Sequence, residues 1–144
     1  MLKNIPNIIT PELMKILMEM GHGDEIVIAD GNYPCFGCSE RVVRCDGHGI
    51  PEILDAIMQF MPLDQYVKNP TILMEVLKDD PYEPKIWEKY KVIINKYEKN
   101  GAREIYIDKY EFYERAKKSY AVIATSEAEL YANIILKKGV VINS

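Results

Sequence analysis

Four stretches of this chain hold side chains that could do chemistry. In Gly21-His22-Gly23-Asp24-Glu25 a histidine lies between two glycines, which let the backbone turn tightly and leave the imidazole uncrowded. An imidazole titrates near neutral pH, so His22 can give or take a proton during a reaction. Asp30 lies beyond the apolar run that follows, so the two cannot meet within one chain unless the backbone folds back. Both could still line a pocket completed by a second subunit; the plainer alternative is a loop histidine and a turn aspartate. Cys35, Cys38, Cys45 and His48 form C-x2-C-x6-C-x2-H, a spacing that a zinc knuckle could use. Against it, Cys45 falls in a predicted strand and should point into a packed layer, and a core of this size needs no metal to hold it. Buried or loop thiols are the expectation. A redox C-x-x-C is weaker still, because no helix is predicted to begin with it.

Lys109 follows Asp108 at a predicted strand–helix junction, where it could aim a cation at a hydroxyl-rich ligand. Within the aromatic-rich segment after it, Glu111 and Arg115 have the i,i+4 spacing of an ordinary solvated pair. Tyr131-Ala132-Asn133 precedes an apolar run, so a phenol and a carboxamide stand at a strand entrance. Sugar sites use such groups: the amide bridges hydroxyls and the aromatic face covers C–H groups. A nucleotide-binding loop, a G-x-S-x-G elbow and an H-E-x-x-H helix are all missing, which leaves proton chemistry without a cofactor as the simplest enzymatic reading.

The elements that must position these groups follow from periodicity and caps. Thr10 is a suitable N-cap, Pro11 fits the first helical position, and Leu13, Ile16, Leu17 and Met20 repeat at helical spacing up to a left-handed stop at Gly21. Glu25–Ala29 reads as a buried strand, then a loop with Pro34 and Gly37 leads to a strand near Arg41–Cys45. A helix runs from Pro51 to about Met61, a strand over Thr71–Leu77, and a helix between Pro84 and Lys99. A strand at Glu104–Asp108, a short helix at Tyr110–Lys118, a strand at Tyr120–Thr125 and a last strand around Asn133–Lys137 complete the pattern. Helices alternating with short apolar strands predict a single α/β layered domain over 1–144, with a central, mainly buried sheet flanked by helices. In such sheets functional residues sit just beyond strand ends, as Asp30 and Lys109 do.

Composition narrows the classes. The chain has 144 residues, 18 Lys+Arg against 22 Asp+Glu and a net charge of −4, without the basic footprint of a nucleic-acid binder. No apolar run is long enough to span a membrane, and the start lacks a signal-peptide apolar segment, so a cytoplasmic location is expected. Three cysteines cannot close a disulfide framework, which also favours a reducing compartment. The 10 tyrosines could serve the core, an interface or a sugar-binding surface.

Longer motifs carry a resemblance over nearly the whole chain. They are Thr10-Pro11-Glu12-Leu13, Met20-Gly21-His22-Gly23-Asp24-Glu25-Ile26-Val27, Ala29-Asp30, and Arg44 with Asp46-Gly47 and Gly49-Ile50-Pro51. Phe112-Tyr113-Glu114-Arg115-Ala116, Tyr131-Ala132-Asn133 and Leu136-Lys137-Lys138-Gly139-Val140 complete the set. With these the chain resembles the sugar mutarotase family that includes L-fucose mutarotases and D-ribose pyranases, and stands closer to the fucose branch. The resemblance implies a ribose pyranase/fucose mutarotase-like fold and a cofactor-independent isomerase that interconverts the α and β anomers of free L-fucose. The alternatives are pyranose–furanose interconversion of D-ribose and a non-catalytic sugar-binding protein. It further implies a ring-shaped homo-oligomer, commonly a decamer, with pockets where subunits meet. By carry-over, His22 is the proton donor, and Asp30, Lys109, Tyr131, Ala132 and Asn133 bind substrate. Lys109 falls where the fucose branch usually has arginine and the ribose branch histidine, and it lacks arginine's planar fork. Ala132 stands where the fucose branch prefers glycine. The three cysteines are outside the family pattern, so no metal is expected.

Overall fold

A computed structural model describes residues 1–143. In chain order the elements are α1 (Pro11–Glu19), β1 (Glu25–Ala29), α2 (Cys35–Cys38), β2 (Val42–Cys45), α3 (Ile50–Met58) and β3 (Thr71–Met74). They continue with α4 (Ile86–Tyr97), β4 (Glu104–Ile107), α5 (Lys109–Lys117), β5 (Ala121–Thr125) and β6 (Ile134–Lys137). The strands form one mixed sheet in the order β2-β5-β1-β6-β3-β4. β1, β2 and β5 run parallel, as do β3 and β4, while β6 is antiparallel to both β1 and β3.

Alternation along each strand sends side chains to two apolar layers. Ile26 and Ile28 of β1 join Ile134 and Leu136 of β6 beneath α1, α3 and α4. Val27 and Ala29 join Ile72, Val122 and Ile135 beneath α2 and α5, where Phe112 and Ala116 are fully buried. This is the predicted layered α/β arrangement with a central sheet. Only the edge strands β2 and β4 show half-exposed residues along much of their length, because each has a neighbour on one side alone.

The boundaries differ from the sequence reading in instructive ways. Thr10 does cap α1, its Oγ1 accepting from the Leu13 N–H at 3.1 Å. The helix does not stop on a left-handed Gly21, however: Met20 is extended, and the positive φ belongs to Gly23 (87°). The Cys35–Cys38 segment, expected as loop, makes one helical turn, so a helix does begin at Cys35. β3 ends at Met74 and not Leu77, because the chain turns at Leu77, whose carbonyl accepts from the Asp80 N–H at 2.9 Å. Asp108 leaves β4 to cap α5, accepting from the Glu111 N–H at 2.8 Å. Arg115 does not pair with Glu111; its guanidinium grips Glu25 with two bonds of 2.9 and 2.7 Å. A largely covered carboxylate at the start of β1 matches the arginine fork better than a solvated neighbour does.

Candidate functional site

The parallel strands end together, and β6 starts at that same end because it runs the other way. Asp30 follows β1 there, and its N–H donates to the Asn133 Oδ1 at 2.7 Å, while its own carboxylate accepts from the Asn32 N–H at 2.9 Å. Burial pushes the Asp30 carboxyl above the usual carboxylate range, opposed by hydrogen bonds from Asn32, Tyr33 and Asn133. Asn133 is nearly buried, and Ala132 is fully so, its carbonyl accepting from the Tyr90 hydroxyl at 2.6 Å. Lys109 opens α5, with its ammonium 5.6 Å from the Tyr113 ring centre. Tyr113 packs edge-on against Tyr33 at 5.2 Å. A cavity of about 480 Å³ opens beside Asp30, lined among others by Tyr33, Phe36, Arg44, Thr125 and Glu127.

Tyr131 holds the least comfortable backbone in this region. Its φ of 57° lies in the left-handed region, which for a non-glycine residue costs on the order of 1–2 kcal/mol. The Trp87 indole N–H fixes it by donating to its carbonyl at 2.8 Å. Its phenol donates to the Asp80 carboxylate at 2.6 Å, and its ring stacks on Tyr82 at 5.9 Å.

His22 lies at the opposite end of the sheet. Its Nε2 is 3.0 Å from the Asp64 Oδ1, with the imidazole half-exposed and the carboxylate almost wholly covered. Asp64 also accepts from the Tyr66 N–H at 3.0 Å, and the Tyr66 ring packs 5.5 Å from the imidazole. Burial alone would raise the Asp64 carboxyl; the Tyr66 amide, His22 and Lys137 outweigh it and hold the group below the ordinary carboxylate range. The backbone around it is tied to the end of β6: the Asp64 N–H donates to the Lys137 carbonyl at 2.9 Å, and Gly23 donates to Lys138 at 2.8 Å. Arg103 spans the same loop, donating to the carbonyls of Asp64 and Val67 at 3.0 and 2.9 Å.

The sheet therefore gathers Asp30, Lys109, Tyr131, Ala132 and Asn133 at one end and leaves His22 at the other. β1 alone puts about 17 Å of strand between them. Asp64 was missed by sequence reasoning, since 42 residues separate it from its histidine and no local spacing marks it. The cysteines do not converge. Cys45 belongs to one apolar layer and Cys35 to the other, and His48 turns to Glu52 at 3.3 Å. Burial pushes the Cys45 thiol up to about 11. Among the described residues no group of three or more histidine, cysteine or acidic side chains could hold a metal ion.

Comparison with known proteins gives a consistent result. Residues 3–141 match the model of the RbsD / FucU transport protein family. The human fucose mutarotase is 43% identical over 146 residues, covering 96% of this chain and 94% of that one. The L-fucose mutarotase of Actinobacillus pleuropneumoniae is 41% identical, covering 97% of each. A crystal structure of the Streptococcus pneumoniae fucose mutarotase in complex with L-fucose superposes with a TM-score of 0.92 at 52% identity, over 98% of this chain and 100% of the other.

Proposed function

The chain belongs to the RbsD/FucU family, and on that premise we propose that it is a fucose mutarotase, an isomerase acting on the anomers of free L-fucose. The observation that carries the reading is the His22–Asp64 pair at 3.0 Å, in a chain 52% identical to a fucose mutarotase that binds L-fucose. Mutarotation breaks the bond between the anomeric carbon and the ring oxygen. The ring oxygen gains a proton, the anomeric hydroxyl loses one, and the open aldehyde recloses on its other face. A carboxylate can only accept, so Asp64 selects the tautomer with hydrogen on Nε2 and leaves Nδ1 to exchange a proton with the sugar. His22 is the donor to the ring oxygen in this scheme. Asp30, Lys109 and Asn133 hold hydroxyls, the backbone at Ala132 sets their spacing, and Tyr131 covers the sugar near its anomeric side.

A monosaccharide cannot reach both ends of β1, so the pocket is completed where the His22 end of one protomer meets the Asp30 end of another. Such head-to-tail contacts close into rings, with a decamer as the expected assembly. Large side chains left exposed near both ends support that contact: Tyr66 beside His22, and Leu77, Tyr110 and Leu130 around the other. No helix among the described residues is long and apolar enough to cross a membrane; the free thiols of Cys35, Cys38 and Cys45 accord with a cytoplasmic location. The test is exchange NMR on L-fucose and D-ribose side by side. Faster exchange of the L-fucose anomers, abolished in His22→Ala, is expected. Unaccelerated fucose with accelerated ribose would move the protein to ribose chemistry, and binding without exchange would make it a sugar-binding protein.

A further inference from the structure

The loop between β3 and α4 is docked onto the segment that enters β6 by side-chain contacts. The Tyr131 phenol donates to the Asp80 Oδ2 at 2.6 Å, and the Leu77 N–H reaches the same phenol oxygen at 3.4 Å. The Tyr82 hydroxyl donates to the Glu129 Oε2 at 2.6 Å, and the Tyr82 and Tyr131 rings stack at 27°. Asp80 is itself braced, its Oδ1 accepting from the Tyr82 N–H at 2.9 Å. The phenol is thus bound on its hydrogen by a carboxylate, which leaves the ring face away from Tyr82 and the lone-pair density beyond the long Leu77 contact for a ligand.

We infer that Asp80 is a positioning residue for Tyr131: it fixes the direction of the phenol so that the oxygen presents a hydrogen-bond acceptor to the sugar's anomeric hydroxyl. This rests on the mutarotase reading. The orientation matters because an unanchored phenol could turn its O–H toward the sugar and compete as a donor. Asp80 takes that proton and excludes the alternative. The preceding chain reversal at Leu77, which shortens β3 relative to the sequence reading, is what brings the carboxylate to the phenol.

The test is a mutant cycle on the full-length protein, with L-fucose anomer exchange and L-fucose affinity both measured. Asp80→Ala should lower kcat/KM about tenfold, mainly through KM, and Asp80→Asn, which retains an acceptor, should restore most of it. In a Tyr131→Phe background Asp80→Ala should cost nothing further. Thermal melts of each variant identify any that fail to fold, in which case Asp80→Asn and Tyr131→Phe still give the comparison. An Asp80→Ala loss of equal size in both backgrounds, or no loss in either, would overturn the inference. If the parent protein binds L-fucose without speeding exchange, the mutarotase reading fails, and the same cycle read on affinity decides the role of Asp80. A parent that does neither overturns both.

Discussion

Replacing Asp64 separates what the His22 end contributes to stability from what it contributes to chemistry. The carboxylate is almost wholly covered and accepts from the Tyr66 N–H and from His22, both at 3.0 Å. Alanine leaves the Tyr66 amide without an acceptor and removes the histidine's partner, a loss of about 2–4 kcal/mol from two bonds to a charged acceptor, the lower end being favoured because the imidazole is half-exposed. Asparagine retains one acceptor and should cost about 1–2 kcal/mol. Alanine loses control of the imidazole tautomer, so anomer exchange should fall roughly 10²-fold; asparagine, whose amide can offer Nε2 either its oxygen or its NH2, weakens that control and should lower exchange less. Asp64 lies below its ordinary pKa in the folded protein, so the unfolded chain takes up its proton first as pH falls. Its contribution is complete above about pH 4 and is lost below that, as pH falls through the folded value. The stability gap between parent and Asp64→Asn should therefore close in acid. Urea denaturation at fixed protomer concentration, from pH 7 down to pH 3, together with exchange NMR, measures both effects. An Asp64→Ala protein as stable as the parent, or an Asp64→Asn protein with undiminished exchange, would refute the reasoning.

Three further outcomes follow from the same geometry. Gly139→Ala would drive a Cβ into the Leu63 carbonyl and the Asp64 backbone, costing about 1–3 kcal/mol by overpacking and slowing exchange with it; denaturation and NMR read the two. Tyr90→Phe keeps the buried ring but strips the Ala132 carbonyl of its hydroxyl, so stability should fall about 1–3 kcal/mol and KM for the sugar should rise. Arg115→Ala leaves the largely covered Glu25 carboxylate with only Lys137 at 3.6 Å; a loss of about 2 kcal/mol in urea denaturation is expected, and a Glu25→Gln, Arg115→Ala double variant should recover part of it.

What could be read from the sequence was what is local. Period-3.6 stripes, the Thr10 cap and the apolar runs marked the helices and strands, because each depends on neighbours a few residues away. His22, Asp30 and Lys109 stood out for the same reason, as reactive types beside glycines or at strand ends. Asp64 and Glu25 did not, because their partners lie 42 and 90 residues away and are brought near only by sheet order. Strand direction was equally hidden: an alternating apolar run is identical read either way, so nothing in Ile134–Lys137 announced that β6 would run against β1. The one-turn α2 helix was lost because four residues span barely one period and offer no repeat to detect.

The reversed β6 has a consequence for how the proposed pocket is built. Asn133, just before the strand, bonds Asp30, and the carbonyls of its last residue Lys137 and of Lys138 just beyond hold Asp64 and Gly23. Slipping β6 by one position would break both sets of bonds at once. It would also exchange Ile134 and Leu136, fully buried in one layer, with Ile135, fully buried in the other. The register Ile28↔Ile134 and Glu25↔Lys137 is therefore pinned from both faces. Within the protomer, the Trp87 indole bond to its carbonyl holds Tyr131 in its left-handed conformation. In the proposed assembly, hydrogen bonds made within each protomer would meet part of the ordering cost of the site before the two ends meet.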